Sequence, residues 1–360
     1  MKIQLYLIAL LTSIGFCKVF SQDLNQSSKQ YFQDRVSEYA KDYPGVSVTV
    51  IKGEDVLWKT NIGKADLEKN IEVTSDTKFN IYSTSKYILG LAFIKLIADE
   101  KVSLDKKITS IDPDLPDSYK DITIKHLLTH TSGIRHYKGR KDWVRFASMN
   151  SRNPAEAMEF FVNDPLKSKP GKKKIYTTYG MVVASHILEK IMGKDFETAV
   201  NDLLTFSSTL ELDGITKNKA TPYIKRGKRM VVYPKLNAKS KYGGGGFIAS
   251  SNQLAEAGQM LFNDKIASLE DIKNLYKSQW QKGAKNGISF GTGAGISNKS
   301  FGQPDVLYIA LGGGSPGGRS YLFVVVDLKI SVAITANLEG NGEDAYQLAL
   351  DIIKKIEGIK

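Results

Sequence analysis

Two side chains three residues apart, Ser83 and Lys86 in Ser83-Thr84-Ser85-Lys86, put a hydroxyl and an amine at the start of an apolar run. Tyr87, Ile88, Leu91, Leu96 and Ile97 follow at helical spacing, which predicts a helix from Lys86 to Asp99. Residues three apart on a helix share a face, with Cβ atoms about 5–6 Å apart. An amine desolvated at such a place gives up its proton more readily, and a neutral amine can take the serine proton and leave a nucleophile. The pattern recurs at Ser75/Lys78 and Ser103/Lys106, but no long apolar helix starts behind either.

Two other chemistries compete. Gly313-Gly314-Ser315-Pro316-Gly317 matches the Gly-x-Ser-x-Gly nucleophile elbow. That elbow draws an oxyanion donor from the backbone N–H after the serine, which Pro316 lacks. It also expects a later histidine, and the last of the four is His186. His126, His130 and His136 invite a metal, yet no His-Glu-x-x-His or cysteine pair completes a ligand set, so they read as hydrogen-bonding histidines and no metal or cofactor is expected.

The elements that must position Ser83 are readable in outline. Tyr31, Phe32, Val36 and Tyr39 fit an amphipathic helix, and Val46–Ile51 and Val56–Ile62 alternate as a strand pair around Lys52-Gly53-Glu54. Helices follow: one from the Asn153-Pro154 cap to Phe161, and one from Tyr179 to Met192 closed by Gly193. Strands return at Val306–Ala310, Ser320–Asp327 and Ile330–Thr335, before a last helix from about Gly342 to Ile356. The expected fold class is α/β (α+β): an antiparallel sheet built from the N- and C-terminal segments, about 30–82 and 285–360, flanked by helices. An inserted helical region covers about 83–284, with the site at the junction.

Lys2, the apolar run Ile3–Phe16 and Val19-Phe20-Ser21 read as a signal peptide over 1–21, which places the mature chain, 22–360, in the periplasm or outside the cell as one catalytic domain. Cleavage would remove Cys17, the only cysteine, and with it any disulfide chemistry. The net charge of +12 gathers at Lys138–Lys141, Lys167–Lys174 and Lys225–Arg229. Such clusters could attract an anionic cell-envelope polymer, although a solvated lysine-rich face is the plainer reading. No nucleic-acid motif accompanies them.

With these residues in view, the chain resembles the serine β-lactamase and penicillin-binding-protein superfamily, in its class C-like branch, from about Pro44 to the C-terminus. Pro44-Gly45-Val46-Ser47-Val48 and Gly63–Glu68 resemble the opening hairpin, and Ser83–Lys86 the first catalytic motif. His126–Gly133 is similar to a helix-end segment. Lys169-Pro170-Gly171 with Tyr176-Thr177-Thr178 resembles the second motif, and Gly243–Phe247 a glycine-rich turn. Ser132–Tyr137 and Asn163–Thr178 are most similar to the family's mitochondrial peptidase-type members, which implies peptide hydrolysis and self-assembly into a homo-oligomer or filament.

The resemblance implies that Ser83 attacks a carbonyl, Lys86 takes its proton, and Tyr176 relays a proton to the leaving group. It also implies backbone N–H groups of Ser83 and Gly314 as the oxyanion hole, and Thr178, Leu311, Gly312 and Gly313 on the substrate-binding side. Two positions depart from the pattern. Thr178 stands where the second motif ends in asparagine, and Leu311 where the third begins with lysine or histidine. Arg319 is the nearby residue expected to supply that charge. The expected function is a secreted serine hydrolase acting through an acyl-enzyme on a peptide or small-molecule substrate, as a peptidase or esterase. The alternatives are a weak β-lactamase or D-Ala carboxypeptidase, or a degenerate scaffold of the same fold.

Overall fold

The computed structural model describes residues 24–214, 216–233, 238–278, 294–297, 301 and 306–359. The expected leader over 1–21 and Cys17 lie outside the described residues, as do 285–293 at the expected start of the late sheet segment. The first elements are α1 (Gln26–Ala40), β1 (Gly45–Lys52), β2 (Asp55–Asp66), β3 (Ile71–Glu72) and β4 (Phe79–Asn80). Next come α2 (Ser85–Ala98), α3 (Ile124–Leu128), α4 (Arg140–Ala147), α5 (Pro154–Met158), α6 (Thr178–Met192) and α7 (Phe196–Leu203). Short strands β5 (Glu211–Leu212), β6 (Tyr223–Arg226), β7 (Arg229–Val232) and β8 (Phe247–Ala249) lead to α8 (Ser251–Gln259) and α9 (Leu269–Ser278). The chain closes with β9 (Ala294–Ser297), β10 (Val306–Ser315), β11 (Gly318–Val325), β12 (Ile330–Ala336) and α10 (Gly342–Glu357).

Among the described residues, a seven-stranded antiparallel sheet runs β3-β2-β1-β12-β11-β10-β9. The early hairpin and the late strands join where Val46 faces Ala336 and Lys52 faces Ile330. Period-2 alternation assigns the two faces of the sheet. On β11, Tyr321, Phe323 and Val325 pack with Phe32 and Val36 of α1 and Leu348 and Ile352 of α10. Leu322 and Val324 point the other way, into a core shared with Tyr87 and Leu91 of α2 and Met181 of α6. Helix α2 is buried on every side from Ser85 to Ile94, as its run of apolar residues from Tyr87 to Ile94 requires.

Two expectations need correction. The helix capped by Asn153 ends at Met158 and not at Phe161, because the chain turns there to stack Phe161 on Tyr179, with ring centroids 4.3 Å apart. The inserted region is also not wholly helical. It carries β5 and β8 in a small sheet with β4, and a separate β6–β7 hairpin. Each strand in these is only two to four residues long, which is too short for alternation to register.

Candidate active site

Ser83 sits in a 3₁₀ turn, Tyr82–Thr84, that runs straight into α2. Tyr82 has φ 46°, a left-handed conformation that costs a bulky residue roughly 1–3 kcal/mol and persists only where its surroundings enforce it. They do so from two sides. The Ser320 hydroxyl on β11 donates to the Ile81 carbonyl at 2.6 Å and meets Thr84 Oγ1 at 2.7 Å. The Phe247 N–H donates to Ser85 Oγ at 3.2 Å, and its carbonyl accepts from the Ile81 N–H at 3.2 Å. The turn lies so close to β10 that a Cβ on Gly313 would stand 2.1 Å from the Ile81 oxygen. Only glycine lets the strand approach the nucleophile in this way.

Lys86 is fully buried, one turn into the site. Its Nζ donates to Ser83 Oγ at 3.2 Å, to Thr178 Oγ1 at 3.5 Å and to the Gly244 carbonyl. Tyr176 closes the opposite side, donating its hydroxyl to Ser83 Oγ at 2.8 Å while its ring lies 4.9 Å from Lys86 Nζ. The tyrosine is 44% exposed, on the rim where a substrate would enter.

What holds Tyr176 is the start of α6. Thr177 caps that helix by accepting from the Gly180 N–H at 3.1 Å, and donates to the Arg135 carbonyl at 2.6 Å. His130 Nδ1 accepts from the Thr177 N–H at 3.3 Å, and His136 Nδ1 from the Thr178 N–H at 3.2 Å. Both rings also pack against the Tyr176 ring, with centroids 4.8 and 5.3 Å away. Burial, with Lys86 nearby, pushes His130 down to about 3 and His136 to about 4, so both stay neutral acceptors. Among the described residues, no group of three or more His, Cys, Asp or Glu is placed to hold a metal ion. The scaffold of the two histidines is in turn buried. Arg135 forms ion pairs with Asp142 at 2.8 Å and Asp164 at 2.5 Å, over the Tyr179 ring.

The structure therefore brings Ser83, Lys86, Tyr176 and Thr178 together and places β10 alongside them. It does not bring Arg319. Strand parity puts Arg319 and Tyr321 on the α1/α10 face, opposite Ser320 and Leu322, and the guanidinium donates to the Glu339 and Gly340 carbonyls at 2.6 and 2.9 Å. Arg319 is thus corrected from a substrate-binding residue to a cross-link between β11 and the segment before α10. Gly312 also faces away, toward the Tyr321 ring, whereas Gly313 faces the nucleophile turn and Leu311 packs at the edge of the helical core. Gly314 pairs with Arg319 in the ladder, next to the hairpin Ser315-Pro316-Gly317-Gly318. The Gly-x-Ser-x-Gly match is that hairpin: Gly317 takes φ 97°, as the third residue of a type II turn after proline requires.

Sequence reasoning missed the roles of His130, His136, Ser320, the Gly244 carbonyl and Lys241. The last lies two residues ahead of the glycine-rich turn, 6% exposed, with Nζ 5.7 Å from the Tyr82 ring and 5.5 Å from Trp143. Its signal was a lysine just before a turn that must pack tightly. A cavity of about 530 Å³ opens beside it. A larger one, about 820 Å³, lies against α1, and neither cavity is bordered by Ser83, Lys86 or Tyr176.

The family described as Beta-lactamase matches residues 30–354. Among curated proteins, the human serine beta-lactamase-like protein LACTB, mitochondrial, is 24% identical over 296 residues, covering 62% of this chain and 54% of that protein. The chain thus spans about half the length of that relative. Two solved structures superpose with a TM-score of 0.75 at 18% identity. EstCE1, a hydrolase with promiscuous acyltransferase activity, is covered over 99% of its length by 91% of this chain. A class C beta-lactamase is covered over 98% of its length by 93% of this chain.

Proposed function

Because this chain belongs to the beta-lactamase family of serine hydrolases, we propose that it cleaves ester or peptide bonds through an acyl-enzyme on Ser83. One observation carries the reading: a single serine oxygen lies within hydrogen-bond reach of both a buried amine and an exposed phenol, at 3.2 and 2.8 Å. Ser83 Oγ attacks the carbonyl carbon as its proton passes to Lys86 Nζ. Backbone N–H groups of Ser83 and Gly314 hold the resulting oxyanion, each such donor being worth roughly 3–4 kcal/mol in acyl transfer. When the intermediate collapses, Tyr176 gives its proton to the leaving oxygen or nitrogen and is reloaded from the Lys86 ammonium. A water then attacks the acyl ester, losing a proton to the same pair, and Ser83 is restored.

Peptidase or esterase activity is favoured over β-lactam hydrolysis by Leu311 and by the outward turn of Arg319. Neither can draw a substrate carboxylate beside the reacting carbonyl to this part of β10. Export follows in the same proposal from Lys2, the apolar Ile3–Phe16 and the small-residue site before Gln22. The test of the chemistry is intact mass after treatment with a fluorophosphonate. One adduct on Ser83, absent in Ser83→Ala, is expected, and an adduct on Ser315 would overturn the assignment. A panel of ester, L-peptide, D-peptide and chromogenic β-lactam substrates then ranks the activities.

A further inference from the structure

Lys241 is a buried cation with no carboxylate partner among the described residues. Its stem runs across Gly245 and the Tyr82 backbone, since a Cβ on Gly245 would meet Lys241 Cδ at 3.3 Å and the Tyr82 carbonyl carbon at 3.5 Å. The ammonium lies near two aromatic rings and borders the 530 Å³ cavity, whose wall also includes Asp213, Tyr233 and Ser315. Among the described residues, no carboxylate lies within ion-pair distance of it. Asp213, an acid that acts on it, is engaged by Lys219 and by the Ala238 N–H at 2.8 Å, and Lys69, also on the wall, pairs with Asp66 at 3.4 Å. A buried, unpaired ammonium is costly unless something anionic completes it.

The cavity adjoins the catalytic centre. Tyr82 and Ser315, both on its wall, are the chain neighbours of Ser83 and Gly314. Ser83, Lys86 and Tyr176 do not themselves border it, so it lies one residue beyond the nucleophile, on the side of the turn and strand end that would hold the oxyanion. We propose that this cavity is an acyl-side subsite in which Lys241 binds a carboxylate carried at a distance from the reacting carbonyl. In place of a cation at Leu311 of β10, the cation comes from the segment before the glycine-rich turn, on a cavity whose wall also includes Ser315 at the hairpin end of that strand. The proposal rests on the acyl-enzyme reading and names the class of acyl group: ω-carboxylated chains, or peptides with an acidic side chain.

Burial, with the Lys86 charge, pushes Lys241 down to about 8, against a smaller opposing pull from Asp213. The subsite is charged below that pH and loses its cation above it. The other groups facing it are Lys69, Lys86, Lys219, Asp213, Tyr82, Tyr233 and His136, the last held at about 4 and so neutral throughout this window. Burial raises both tyrosines above their ordinary range, so they do not ionise in this window.

The test uses 4-nitrophenyl butyrate and the mono-4-nitrophenyl esters of adipate, pimelate and suberate, whose free carboxylates lie at increasing distance from the carbonyl and too far along the chain to expel 4-nitrophenolate through a five- or six-membered anhydride. The wild type should favour one carboxylated member by kcat/KM. Lys241→Met should lower the carboxylated-to-butyrate ratio by about 10- to 100-fold, the scale of a charge-assisted hydrogen bond, and Lys241→Arg should restore most of it. In the wild type alone, the ratio should fall as pH rises through about 8, a readout that survives if Lys241→Met does not fold. A ratio unaffected by Lys241→Met, or flat from neutral to strongly alkaline pH, overturns the subsite while leaving the catalytic reading intact. If no ester is turned over, the catalytic reading fails and calorimetry with adipate decides the subsite. Binding that is lost in Lys241→Met supports it, and no binding, or binding equal in both, overturns it.

Discussion

Replacing Gly313 by alanine tests whether the sheet positions the nucleophile. The added Cβ would stand 2.1 Å from the Ile81 oxygen, 2.6 Å from Ser320 Oγ and 2.9 Å from Thr84 Oγ1. An ordinary carbon–oxygen approach is about 3.3 Å, so β10 and the Ser83 turn must separate by roughly 1.2 Å. Neither can move alone, because Ser320 ties Ile81 and Thr84 to β11, and β11 is laddered to β10. Overpacking of this kind costs about 1–3 kcal/mol, which a fold of this size tolerates. A displacement of about 1 Å at a reacting group costs on the order of 100-fold in rate. Gly313→Ala should therefore remain folded by circular dichroism yet lose about 100-fold in ester turnover and in fluorophosphonate labelling. Gly312→Ala is the control. Its Cβ would meet the Tyr321 ring at 3.3 Å on the far face, and its rate should stay within about threefold of wild type, a change of roughly 0.6 kcal/mol. Equal rates in the two variants would refute the view that β10 registers the nucleophile.

Other expectations follow from the same geometry. Tyr176→Phe keeps the ring between the histidines but removes the proton relay, and should lower turnover by about two to four powers of ten; a near-normal rate would move the relay elsewhere. Lys86→Met should abolish labelling of Ser83 while near-ultraviolet dichroism shows an intact core. Thr177→Val deletes the α6 cap and its bond to Arg135, so urea unfolding should show a loss of about 1–2 kcal/mol, and an unchanged midpoint would deny the cap its role. His130 and His136 are held below their ordinary value of about 6.5, so the unfolded chain takes up protons that the native state refuses. Stability is then lost as pH falls from that value toward about 4 for His136 and about 3 for His130. His130→Asn keeps an acceptor and suits the φ of 57° at that position. The variant should show a shallower loss of stability between pH 6 and 4, by up to about 1.4 kcal/mol per pH unit, and an identical slope would show that His130 does not titrate as described.

The large elements were legible because their apolar patterns are long. Helix α2 and strands β1, β2, β10 and β11 each run over eight or more residues, and the Ser83–Lys86 pairing follows from helical spacing alone. Arg319 was misplaced for a definite reason. Both faces of β11 are apolar, so alternation separates Arg319 and Tyr321 from Ser320 and Leu322 without telling which pair faces the nucleophile. The His130 and His136 acceptors were hidden because they bond to backbone N–H groups over 40 residues away, a partnership no local pattern records. Lys241 was hidden by company: in a chain with 50 lysines and arginines, one lysine ahead of a glycine turn reads as surface until its burial is known.

The closing of the sheet bears on when this hydrolase can first act. Strand β1 is paired on one side with β2 and on the other with β12, almost three hundred residues later in the chain. Ser83 is made early, but the Ser320 hydroxyl that holds its turn and the β10 backbone beside it are made near the end. A nascent chain would therefore carry the serine and its lysine without the strand that sets their register. Contacts of such long sequence separation form late and slowly. Catalysis should thus be coupled to completed synthesis, and chains truncated before β12 should resist fluorophosphonate labelling even with every catalytic side chain present.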